Sequence, residues 1–213
     1  MTLPPADRRR AWWLRQLHEW HWISSALCLV GMLLFAATGF TLNHAAQIDA
    51  HPAVVSRTGT VPPALLRQVR DAVPASGGKQ AGLPLPAPLA AWMKDQWQLD
   101  AGRLPAEWSR EEVYLSLPRP GGDGWVRLAL DDGAVEYETT DRGWIAYLND
   151  LHKGRNTGAA WSWFIDIFAG AALVFCITGL FILKMHARNR PLTWPVVGLG
   201  FVLPALLALL LIH

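Results

Sequence analysis

LHEWHWISSALCLVGMLLFAATGFTLNH, Leu17–His44, decides the fold. Between Trp22 and Leu42 it carries no charged residue, and as a helix rising 1.5 Å per residue that run crosses a hydrocarbon core of roughly 30 Å. Histidines stand at both ends: His18 and His21 before the run, His44 after it. The run is longer than the apolar core of a signal peptide and lacks a small-x-small cleavage site, which points to a retained span.

Two further apolar blocks follow, Trp161–Leu183, interrupted by Asp166, and Trp194–Ile212, which contains Pro195 and Pro204. With 52% hydrophobic and 17% charged residues in 213, gathered in this way, the chain reads as a mainly α membrane protein with three transmembrane helices. The expected division is 1–21 as amino-terminal segment and helix start, 22–44 as the first span, 45–158 as an extracytoplasmic domain, 159–185 as the second span, 186–193 as a loop and 194–213 as the third span. Arg8, Arg9, Arg10 and Arg15 precede the first span, and Lys184, Arg188 and Arg190 lie between the second and third, which makes those ends cytoplasmic. His213 then falls on the outer side. Trp12, Trp13, Trp20, Trp22 and Trp194 suit the inner interface, Trp161 and Trp163 the outer one.

The net charge of +2 gives no reason to expect a nucleic-acid partner, since topology accounts for the arginines. Cys28 and Cys176 lie inside apolar runs and read as packing residues, not a disulfide. Between the first two spans, Pro62–Val73 reads as a helix with Leu65, Leu66, Val69 and Val73 on one face, followed by a loop over Pro74–Pro88. Glu112–Leu117, Trp125–Leu130 and Ala134–Thr139 then alternate as strands, separated by a Gly-rich turn and by Asp131-Asp132-Gly133. A small α+β domain follows, without a phosphate loop or nucleophile motif.

About 34 Å of helix separates His21 from His44, and the second span mirrors this with His152 before it and His186 after it. Antiparallel helices would pair the levels. Two imidazoles facing each other from different helices, with a gap lined by small residues, are what bis-histidine haem requires; Gly31, Gly39, Gly170 and Gly179 offer such gaps. The pattern predicts one haem between His44 and His152 and another between His186 and either His18 or His21. About 51 Å would separate His152 from His186 in one helix, so His152 is expected on a loop or bent extension near Gly154 and Gly158. No C-x-x-C-H is present, which excludes the usual covalent c-type attachment. Zinc on His18-x-x-His21 is a weaker reading, because no carboxylate or thiol clusters with the pair. Asp166 is expected to cap or hydrogen-bond a neighbouring helix, with proton or quinol handling as its functional alternative. His51 and His213 are expected to be solvated.

The pieces LHEWHW, TGFTLNH, DLHKGR and ITGL resemble the PepSY-associated transmembrane helix family, and the outer segment resembles a short PepSY unit of helix and antiparallel strands. Larger members of that family place b-type haems between their helices and reduce ferric siderophores in the periplasm of Gram-negative bacteria. The resemblance implies two b haems carried by His18 or His21, His44, His152 and His186. It also implies a ferric siderophore or ferric iron as substrate, the inner membrane as location, and either a quinol or a cytoplasmic reductase as electron donor. Three spans, rather than the four or more of those members, imply a second copy or a partner subunit. A non-enzymatic membrane partner of an iron-uptake complex is the competing reading.

Overall fold

The computed structural model describes residues 5–49, 51–74 and 79–212. In chain order the elements are α1 (Pro5–Asn43), β1 (Ala53–Thr60), α2 (Pro63–Asp71), β2 (Gln80–Leu83), α3 (Ala87–Trp97), β3 (Ala106–Trp108), β4 (Glu112–Ser116), β5 (Gly122–Ala129), β6 (Ala134–Asp141), α4 (Gly143–Lys153), α5 (Gly158–His186) and α6 (Thr193–Leu211). Two compact units divide the chain: Met1–Leu34 with Trp163–His213, and Phe35–Ser162.

In the first, helical unit, α1, α5 and α6 supply three helices long and apolar enough to cross a membrane. Their apolar residues surround the helix instead of forming a stripe, the pattern of a helix solvated by lipid. Hydroxyls inside them turn back on their own backbone: Ser24 donates to the Trp20 carbonyl at 2.7 Å and Thr178 to the Val174 carbonyl at 2.7 Å. That local bond satisfies a polar group where water is absent. Cys28 is fully buried, while Cys176 is exposed, and neither forms a disulfide. Gly31 is a contact point, because a Cβ there would collide with the Phe168 ring.

The second unit is built on a six-stranded antiparallel sheet in the order β1-β6-β5-β4-β3-β2. Register pairs Val113 with Leu128, Leu115 with Val126 and Leu128 with Val135, and the buried side chains pack with Leu66 and Val69 of α2 and Leu89 and Met93 of α3. The three expected strands are β4, β5 and β6. The expected loop over Pro74–Pro88 is corrected: of its described residues, Gln80–Leu83 form β2, and α3 begins at Ala87. Pro88 occupies the first turn of α3, where a missing N–H costs nothing, so the prolines start a helix instead of preventing one. β1 escapes an alternation test because it is an edge strand, exposed along nearly its whole length.

α4 completes this unit. Asp150, buried on α4, accepts the Gly121 N–H at 2.8 Å and a two-pronged contact from Arg155 at 2.8 and 3.1 Å. Gly121 has φ of 73°, and a Cβ there would lie 2.8 Å from the Tyr147 Cα, so only glycine lets α4 approach this turn. Gly154, with φ of 67°, ends α4 in the left-handed conformation.

Candidate metal-binding histidines

Of the five histidines singled out by sequence, His44, His152 and His186 lie at helix ends and His18 and His21 inside α1, and each ring is tied down through Nδ1. His18 donates to the Leu14 carbonyl at 2.8 Å, His44 to the Phe40 carbonyl at 2.9 Å and His186 to the Ile182 carbonyl at 2.9 Å. A carbonyl only accepts, so Nδ1 carries the proton and Nε2 is left with its lone pair. His21 donates to the Phe175 carbonyl at 3.2 Å and to the Thr178 hydroxyl at 3.0 Å, which gives the same tautomer. His152 Nδ1 and the Thr38 hydroxyl share a hydrogen bond of 2.7 Å, and the Thr38 hydroxyl also lies 3.2 Å from the Phe35 carbonyl. An Nε2 lone pair on a ring anchored through Nδ1 is the form in which imidazole binds a metal.

In the helical unit the His18 and His186 rings meet edge to face, with centroids 6.0 Å apart and planes at 88°. Two imidazoles carried by different helices, each anchored through Nδ1, thus come close together at this level. His21 points elsewhere. It stacks on Phe175 at 4.7 Å, and its Cε1 would lie 3.2 Å from a Cβ at Gly179. His18 and His21 therefore do not converge on one ion, which corrects the zinc reading: three residues apart, they are drawn to different neighbours.

In the second unit His152 lies in the last turn of α4, not on a loop, against Thr38, Gly39 and Phe35. His44 lies over Phe40 at 4.4 Å. Among the described residues no ring contact joins His44 to His152. The glycine gaps are largely taken by the chain's own rings: Phe168 at Gly31, His152 at Gly39 and His21 at Gly179, while Gly170 faces open space. Asp166 is exposed on α5, and among the described residues no donor reaches it, which corrects the expected bond to a neighbouring helix. His51 is exposed and lines a cavity of about 250 Å³ with Asp49, Arg142 and Trp144. His213 lies outside the described residues. Groups of three or more metal-binding side chains are absent among the described residues.

Residues 12–213 match the PepSY_TM-like family model. The chain belongs to the PepSY_TM-like family. No curated protein and no solved structure matches it significantly. In this PepSY_TM-like chain the motif fragments hold the residues that position the rings. TGFTLNH supplies Thr38 to His152 and Thr41, which donates to Asn149 Oδ1 at 2.9 Å. ITGL supplies Thr178 and Gly179 to His21, and DLHKGR supplies Asp150, Gly154 and Arg155 around His152. Counting histidines alone misses Thr38, Asn149, Asp150 and Thr178; for Thr38, Asp150 and Thr178 their place in those fragments is the signal that finds them, and Asn149 directly precedes one of them.

Burial alone would push the Asp150 carboxyl up, but the hydrogen bond from Arg155, the Gly121 N–H and the charges of Arg155 and Lys153 outweigh it. They hold the group below the ordinary carboxylate range. Arg155 is raised in turn by Asp150.

Proposed function

We propose that this PepSY_TM-like chain is a b-type electron-transfer protein of the bacterial inner membrane that reduces ferric iron, presented as a ferric siderophore, on the periplasmic side. The observation that supports it most is the His18–His186 pair: two rings 6.0 Å apart, each anchored through Nδ1 to its own helix. His18 and His186 are the residues that would hold a haem iron, and His18 is favoured over His21 because His21 is engaged with Phe175, Thr178 and Gly179. Haem b bound there would supply a one-electron carrier. The chain's own part is to fix both imidazoles as Nε2 ligands, while the Leu14 and Ile182 carbonyls raise their basicity by accepting the Nδ1 protons. The arginines in the amino-terminal part of α1 and the basic residues around the α5–α6 connection support a cytoplasmic position for those ends. Reduction of the acceptor to Fe(II) weakens its hold on hard oxygen ligands.

The second haem expected between His44 and His152 does not fit those residues as they stand, since each ring is packed on its own neighbours. No electron step is assigned to them; the electron would come from a quinol or a cytoplasmic reductase, and a second copy or a partner subunit would carry it from the His18–His186 level to the periplasmic face. Their separation favours, as a second reading, a non-enzymatic membrane partner in iron uptake, whose purified form is colourless. Stopped-flow mixing of the dithionite-reduced full chain with a ferric hydroxamate separates the two. Rapid loss of a reduced α band is expected; a band that persists against every ferric chelate overturns the reductase reading.

A further inference from the structure

α4 is built inside out for a helix in water. Its fully buried residues are polar, Asn149 and Asp150, while Trp144 is 69% and Tyr147 46% exposed. At 3.6 residues per turn, Tyr147, Leu151, Trp144 and Leu148 share one arc of about 100° that carries no charge. A water-facing helix shows the opposite arrangement, so some apolar medium covers this arc.

The contacts of α4 identify the medium. Its last turn lies against the apolar run of α1: His152 shares a hydrogen bond with Thr38, its ring abuts Gly39, and Asn149 accepts from Thr41. Thr38, Gly39 and Thr41 all lie inside the uncharged run Trp22–Leu42 that is long enough to span the bilayer. At its carboxyl end only Gly154–Thr157 separate α4 from α5, and four residues reach no further than about 14 Å. The Trp161 indole, on the first turn of α5, donates to the Leu151 carbonyl at 2.9 Å and fastens the two helices together. Tryptophan and tyrosine, with an apolar body and a polar edge, favour the boundary between headgroups and acyl chains.

We propose that α4 lies in the membrane interface, with Trp144, Tyr147, Leu148 and Leu151 immersed among lipid acyl chains and its polar side closed by the sheet and by α1. The partner is the bilayer itself. The helix thereby fixes the depth of His152 and holds the sheet at the membrane surface through the Asp150–Gly121 bond. Interfacial helices of this type bury their apolar face about 5–10 Å into the headgroup and acyl boundary.

Nitroxide labels test this in the full chain reconstituted into phosphatidylethanolamine–phosphatidylglycerol vesicles. The background is Cys176→Ser, with the buried Cys28 retained. Trp144→Cys, Tyr147→Cys and, as a water-exposed control on α3, Lys94→Cys are labelled, and collision with oxygen and with a water-soluble nickel chelate is compared. The two α4 labels are expected to favour oxygen strongly, at a depth of about 5–10 Å below the phosphates, while the α3 label favours nickel. Nickel access at the α4 positions equal to the α3 control overturns the proposal. So does shielding from both reagents, which would mean that protein covers the face.

Discussion

Replacing Asp150 should loosen the seat of α4 by an amount the structure lets one estimate. Its side chain is 4% exposed, whereas its partner Arg155 is 55% exposed. Asp150→Ala leaves the buried Gly121 N–H without its acceptor, at a cost of about 1–3 kcal/mol. The lost ion pair adds no more than about 1 kcal/mol, because water can take over the half-exposed guanidinium. The total is about 1–4 kcal/mol, a shift of roughly 5–20 °C in the melting of a unit this size. Asp150→Asn keeps an acceptor for Gly121 and should lose about 1–2 kcal/mol.

The assay is thermal unfolding of the full chain in detergent, followed by near-ultraviolet circular dichroism. A depressed carboxyl contributes stability that is present above its unfolded value of about 3.9 and lost as pH falls through the folded value. The gap between wild type and Asp150→Asn should therefore be full at neutral pH and close in acid. An Asp150→Ala protein within about 0.5 kcal/mol of wild type, or a gap that widens in acid, refutes the reasoning.

Two further substitutions probe close approaches. Gly31→Ala drives a methyl into the Phe168 ring and should destabilise the helical unit by about 1–3 kcal/mol, with Phe168→Ala in the same chain recovering part of the loss; detergent melting of the single and double variants checks this. Gly121→Ala meets both a φ of 73° and the Tyr147 backbone, and should cost more than about 2 kcal/mol in the same assay, well beyond an ordinary surface change.

The spans were legible because charge-free runs of bilayer length have few alternative uses, and β4, β5 and β6 because alternate residues enter one core. α3 was hidden by Pro84, Pro86 and Pro88, which look like loop punctuation until the helix is seen to begin between them. β1 shows no alternation because nearly all of it is exposed, and α4 was missed because its burial is inverted. The histidine positions were readable from spacing, as was the meeting of His186 with His18 or His21, but not the choice between those two or the missing contact of His44 with His152. Whether His18 or His21 meets His186 depends on the notch at Gly179 and the stack on Phe175, which one helix's periodicity does not encode. The anchoring of the His152 and His21 rings likewise depends on Thr38 and Thr178, which speak only through their contacts.

The most direct measurement is the absorption spectrum of the full chain, purified after expression with haem supplied, in oxidised and dithionite-reduced forms. Wild type and His51→Ala should show a Soret band and reduced b-type bands, and His18→Ala and His186→Ala should each lose or shift them. A wild-type protein without a Soret band, or one whose spectrum is unchanged in both His18→Ala and His186→Ala, contradicts the assignment of this pair as a haem site.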